Sequence, residues 1–193
     1  MRLTPWLAAA VLCALAGCAA HMVKVEPGQV TVKEALSLNS AIAWNRFEQG
    51  QQPGAAEVWT QDGFALDALA FFVGVAQGQT LGAAIAGKKL PQFRSSMTPG
   101  EIVELYEQIV MQDGSAYALK RVAPGRFGDQ PGFRFEHTIT RKSDNVLLKG
   151  VGQGAVVKGK LYLVAFTAPS IYYYDRHLPQ VEPLIASVRI RAP

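Results

Sequence analysis

Cysteine and histidine are scarce in this sequence: of 193 residues, two are cysteine and three are histidine. Both cysteines, Cys13 and Cys18, stand within the first eighteen positions, so the body of the chain has no thiol for a disulfide or a thiolate metal site. Its stability must come from packing. The local motifs of common hydrolases are missing as well. There is no His-Glu-x-x-His to seat zinc, no Gly-x-Ser-x-Gly to present a nucleophilic serine, and no Cys-His arrangement. Only a triad gathered from distant positions remains open to an acyl-transfer chemistry. Long apolar runs are absent too. The longest begins at Trp6 and ends by Ala20, short of the roughly 20 residues that a bilayer core requires.

What is present at the start is a leader. Arg2 gives a short positive region, Trp6 to Ala16 is unbroken apolar sequence, and small residues lead to a cysteine, which is the layout of a secretory signal. The closing Leu15-Ala16-Gly17-Cys18 resembles the lipobox of bacterial lipoproteins. That resemblance implies a diacylglycerol on the Cys18 thiol, removal of residues 1–17 and a permanent lipid tether, because two or three acyl chains hold far more firmly than one. Ala19 is not an aspartate, which resembles the outer-membrane sorting choice of Gram-negative lipoproteins. The expectation is therefore an envelope protein, anchored by Cys18 at the outer membrane and facing the periplasm.

The remainder is long enough for one domain with a real hydrophobic core. Its charge is uneven: Cys18 to Tyr117 carries 6 Lys and Arg against 10 Asp and Glu, and Ala118 onward carries 12 against 5. A basic second half points to anionic lipid or another anionic partner; no nucleic-acid partner, cofactor or metal is expected.

Residues 18–29, with Pro27-Gly28 and no periodicity, read as a tether, and residues 30–193 as the domain. Val30 to Lys33 and Ala41 to Phe47 read as strands, and Gly50 to Gly54 as a break. Glu57 to Thr60 and Phe64 to Val75 flank Asp62-Gly63, a tight-hairpin signal. The second of these strands is apolar on both faces, as a central strand is, and is interrupted by Asp67. Gln77 to Met97 is a long connection rich in Gly and Ala. Within it, Gly82 to Lys89 has phosphate-loop spacing up to the lysine, but Lys89 stands where a Ser or Thr must bind magnesium, and Pro91 forbids the helix that would hold phosphate. A small-residue loop is the better reading. Thr98-Pro99-Gly100-Glu101 predicts a helix start, combining a capping box with proline in the first turn. Ile102, Leu105, Tyr106 and Ile109 form its apolar face, and the carboxylates a solvated one.

From Tyr117 the period becomes two. Tyr117 to Ala123, Phe133 to Arg141, Val146 to Val157 and Leu161 to Thr167 predict an antiparallel meander with turns at Pro124-Gly125, Pro131-Gly132, Ser143-Asp144-Asn145 and Lys158-Gly159. Ser170 to Ser187 looks helical, with Pro179 and Pro183 expected to split it, and Val188 to Ile190 predicts a last strand. Gly132-Phe133-Arg134-Phe135-Glu136, the Lys158 to Tyr162 hairpin, Ala168-Pro169 and the closing Ile185-Ala186-Ser187-Val188 together resemble the PsbP-like family of α/β sandwiches, which includes the DcrB-like envelope proteins. The resemblance covers about 70 residues. It implies an α+β fold, an antiparallel sheet covered by helices, in a family used for binding and assembly rather than catalysis.

Candidate functional residues follow from these patterns. His137 shares a strand face with Phe133, Phe135 and Ile139, which suits a packed ring. His177 lies near Asp175 on the closing helix, and either histidine with a nearby carboxylate would serve an envelope hydrolase, the alternative to a binding protein. Gly150, Gly152 and Gly154 fall on one strand face as a stripe without side chains, to be covered by a helix, with Tyr172 to Tyr174 as its aromatic cover, or by a flat ligand. Asp67 on its apolar strand needs a partner, and Arg46 near Trp44 is the expected one. Arg141-Lys142, Lys149, Lys158 and Lys160 lie at or near turns, and some should cluster into an edge that could rest on anionic headgroups.

Overall fold

The computed structural model describes residues 22–48 and 56–191. The leader, Cys18 and the Gly50 to Gly54 break lie outside them. The elements in chain order are β1 (Met22–Val25), β2 (Gly28–Val32), β3 (Leu36–Ser40), β4 (Trp44–Phe47), β5 (Ala56–Thr60), β6 (Ala68–Val75), α1 (Pro99–Val110), β7 (Ala116–Phe127), β8 (Gln130–Thr140), β9 (Leu147–Val157), β10 (Lys160–Pro169), α2 (Tyr173–Ala186) and β11 (Arg189–Ile190). Eight strands form one sheet in the order β1-β4-β5-β6-β10-β9-β8-β7, and β11-β3-β2 form a second, smaller one. All pairings are antiparallel.

Because side chains alternate along each strand, the large sheet buries apolar groups on both faces. On one face Trp59, Leu69, Phe71, Val151, Val164 and Phe166 pack with Val181, Leu184 and Ile185 of α2 and with Val32, Leu36 and Leu38 of the small sheet. On the other, Phe72, Phe133, Phe135, Leu163 and Ala165 pack with Ile102, Val103, Leu105 and Tyr106 of α1 and with Leu81 and Phe93 of the long connection. Each helix covers part of its face. The small sheet and the 77–97 connection cover the rest.

Several local expectations change. The chain is already a strand at Met22, where β1 pairs with β4, so most of the expected tether is part of the fold. The β2–β3 hairpin has no glycine in its turn; Lys33 and Glu34 take up the left-handed conformation with φ of 46° and 59°, which is why β3 carries no turn signal in the sequence. Asp62-Gly63 is not a two-residue turn. It opens a longer loop that ends at Asp67, with Leu66 and Asp67 N–H groups donating to the Gly63 carbonyl at 2.7 and 3.0 Å. Pro124-Gly125 and Pro131-Gly132 lie inside paired strands, Gly125 opposite Gly132, and the turn is made by Gly128 and Asp129. An edge strand tolerates this, since an outward-facing position does not need the N–H that Pro124 lacks. Pro179 and Pro183 do not split α2. Both are exposed, so the carbonyls they leave without donors face water.

The helix start at Thr98 is as read: the Thr98 hydroxyl accepts from the Glu101 N–H, and the Glu101 carboxylate accepts from the Thr98 N–H at 2.7 Å. The Gly82 to Lys89 segment is held as a loop against the end of α1. Gln112 accepts from the Ile85 N–H at 2.8 Å and donates to the Ala83 carbonyl, and Lys88 donates to the Gln112 carbonyl at 2.6 Å. That leaves no helix N-terminus behind it to hold phosphate.

Candidate functional site

The Asp67 carboxylate is buried, but its partner is not Arg46. Its Oδ1 accepts from the Thr60 hydroxyl and the Asp62 N–H at 2.7 and 2.8 Å, and its Oδ2 accepts from the Gln61 N–H at 2.7 Å. The carboxylate thus replaces the hydrogen bonds that a tight hairpin would have supplied and fixes the wider loop. A charge satisfied by three nearby donors needs no cation. Arg46 instead lies 3.7 Å from Glu57, which accepts from the Trp59 indole N–H at 2.7 Å. Trp44 is core: fully buried, it donates to the Ser40 hydroxyl at 3.0 Å.

The loop that Asp67 shapes presents Asp62 to α2. Asp62 Oδ2 is 2.8 Å from His177 Nε2 and 3.1 Å from the Arg176 guanidinium. A carboxylate oxygen accepts, so Nε2 is the donor of this bond; Nδ1 is buried and has no partner among the described residues. The sequence-adjacent Asp175 is not the partner and lies 3.9 Å from Lys149. One ligand atom each from Asp62, Asp67 and His177 lie within 4.8 Å of one another, close enough to suggest a metal ion. The donor set does not fit one. Asp67 is taken up by three donors and Asp62 already faces Arg176. The His177 ring is only 1% exposed, so the pair fastens α2 to the β5–β6 loop and does not offer a base to a substrate.

His137, also 1% exposed, sits on the opposite face in a box of rings. It stacks on Tyr117 and Phe135 at centroid distances of 5.1 and 5.4 Å and meets the Tyr106 edge at 5.2 Å. Neither ring nitrogen has a partner among the described residues, and burial lowers its pKa to about 4. Burial also pushes Tyr106 up to about 12 and raises Tyr117. These groups are neutral at physiological pH.

The same rings account for the glycine stripe. Register places Phe133, Phe135 and His137 directly opposite Gly154, Gly152 and Gly150. A Cβ at Gly152 would fall 2.1 Å from the Phe135 ring, and one at Gly150 would fall 2.3 Å from the His137 ring. Cross-strand aromatics fill the stripe; neither a helix backbone nor Tyr172 to Tyr174 does. Tyr174 stacks on Phe166, on the α2 face.

The basic turn residues separate between the two ends of the sheet. Arg141 is held by Asp144 at 2.7 and 2.9 Å and by the Ala65 carbonyl at 2.7 Å, and Lys149 lies over Tyr174, both toward the β8–β9 turn. Lys158 and Lys160 are at the other end. There they line a cleft of about 270 Å³ with Arg191, Tyr162, Val157, Ile190 and Gln130. Arg191 is a participant that the strand pattern does not reveal, because β11 pairs with β3 of the small sheet and not with β9 or β10.

No family model matches the sequence, and no curated protein matches it. The structure aligns with the solution structure of cyanobacterial PsbP (CyanoP) from Synechocystis with a TM-score of 0.57 at 13% identity, covering 91% of this chain and 96% of that one. The fold is PsbP-like. The likeness extends through both halves, well beyond the 70 residues in which the sequence carries it. A Bacteroides thetaiotaomicron protein (TM-score 0.46, 12% identity, 87% of this chain and 50% of that one) and Mycobacterium tuberculosis LpqN, involved in cell envelope biogenesis (0.37, 7%, 92% and 88%), superpose more loosely. No helix among the described residues is long and apolar enough to cross a membrane.

Proposed function

We propose that this protein is an envelope lipoprotein, held at a membrane by lipid on Cys18, that works by binding or assembly and not by catalysis. The observation that carries the binding reading is the contrast between its buried and exposed chemistry. Both body histidines are packed away, whereas large apolar groups stand in solvent where β10 hands over to α2: Ile171 is 93% exposed and Tyr172 57%, beside Leu147 at 47%. The Ser170 N–H donates to the Leu147 carbonyl at 2.9 Å, which keeps this surface on one ordered corner. Apolar side chains grouped in solvent suit a protein partner.

The lipidated protein, recovered from native membranes, should bring down a stoichiometric partner, and Ile171→Asp should release it without lowering Tm. Cys18→Ser should leave unprocessed precursor that takes up no labelled lipid, because transfer of the diacylglyceryl group to sulfur needs the thiolate nucleophile. Labelling that survives that change would end the lipoprotein reading. Turnover of an envelope substrate, abolished by His177→Gln in a folded protein, would replace binding with hydrolysis.

A further inference from the structure

The cleft of Lys158, Lys160 and Arg191 lies at the start of β10, a strand of the same sense as β1. Four antiparallel pairings separate β1 from β10, so the two strands run in the same direction. The register is continuous across them: Val23 is level with Arg46, Trp59, Leu69 and Phe166. Lys160 lies six residues ahead of Phe166 along β10, a rise of about 20 Å. Cys18 lies five residues ahead of Val23 in the chain, a reach of at most about 18 Å. A chain anchored through Cys18 therefore keeps the whole fold, and the cleft with it, close to the bilayer.

The cleft's chemistry suits that position. None of its three cations forms an ion pair among the described residues, in contrast to Arg134 and Arg141, which are paired with Glu182 and Asp144. The carboxylate next along the rim, Asp129, accepts from Gln130 at 3.1 Å, and Val157, Ile190 and Tyr162 supply an apolar floor. A cationic rim over an apolar floor complements a phosphate with the start of an acyl glycerol behind it. We infer that this cleft seats the headgroup of an anionic phospholipid of the membrane that holds the chain. The inference rests on the anchor proposed above, which keeps the cleft near the bilayer.

The test uses the lipidated full-length protein in vesicles of phosphatidylglycerol or of phosphatidylcholine, with lysines acetylated by a water-soluble reagent and read by peptide mass. In phosphatidylglycerol at low salt, Lys158 and Lys160 should label at least about fivefold more slowly, the factor one cation gains at an anionic surface. Lys142, exposed at the opposite end, should label equally in both. Salt should erase the difference, and Arg191→Gln should shrink it. Equal labelling of Lys158 and Lys160 in the two vesicles would overturn the inference. Inorganic phosphate protecting them equally well in phosphatidylcholine would overturn the membrane source and leave a free-anion site. The same digest reports the mass of the Cys18 peptide, so a missing anchor is distinguished from an empty cleft; unanchored protein added to the vesicles still reads the cleft.

Discussion

The two faces of the large sheet each bury a histidine, and they treat it in opposite ways. On the α2 face, buried polar groups are tied to one another: His177 to Asp62, Asp67 to the loop it closes, and Trp59 to Glu57. On the α1 face, His137 and Tyr117 are enclosed by rings and leave polar atoms unpartnered among the described residues. The α2 face thus uses polarity to fix where a loop and a helix meet. The α1 face uses a polar ring as a flat filler over a glycine stripe that has no side chains. A histidine's meaning comes from its partners, and in both cases that meaning is structural.

Removing the most heavily bonded group should separate the faces most. Asp67→Ala leaves three donors without their acceptor and should lower stability by about 3 to 5 kcal/mol in urea unfolding. Arg46→Ala, which loses a loose contact with Glu57 and a 3.3 Å hydrogen bond to the Phe47 carbonyl, should cost about 1 kcal/mol. Equal effects would restore the Arg46–Asp67 pairing that the sequence suggests.

The α1 face should reveal itself through pH. A histidine held near 4 when folded and near its ordinary 6.5 when unfolded is protonated first in the unfolded chain. Its neutral form therefore costs nothing at pH 7, and stability falls as pH drops from about 6.5 to 4, by about 3 kcal/mol in all. His137→Phe should remove that loss and leave stability at pH 7 nearly unchanged. An identical acid limb in the variant would show that protonated His137 finds a hydrogen-bond acceptor or water when folded.

The smallest effect concerns the clamp. A double-mutant cycle between Asp62→Asn and His177→Phe should return a coupling of about 1 kcal/mol. Zero coupling would reduce the pair to proximity.

The sequence made the meander, the capped helix and the PsbP-like character legible because each rests on local signals: period-two alternation, a capping box, and turns such as Lys158-Gly159. The small sheet was hidden because Lys33 and Glu34 adopt a turn that usually calls for Asn or Gly. The loop at Asp62 departs from a tight hairpin because the Asp67 side chain, seven residues from Thr60, accepts the bonds that close it. Gly150, Gly152 and Gly154 were recognisable as a stripe, but what fills them depends on register across to β8, which spacing alone does not fix. Lys158 and Lys160 were found from sequence, whereas Arg191 joins them only through tertiary packing.

The sheet is joined at one seam, where β6 pairs with β10 across everything that α1, β7, β8 and β9 contribute between them. The order of synthesis gives that seam a history. The four strands β7 to β10 connect through short turns and assemble from neighbours in the chain, whereas β6, with buried residues on both faces, is made long before its partner exists. Closing the seam is the non-local step that topology makes slow. Until β10 arrives, β6 offers an open apolar edge to any passing strand, so the newly made chain is most vulnerable to aggregation in the interval between the two.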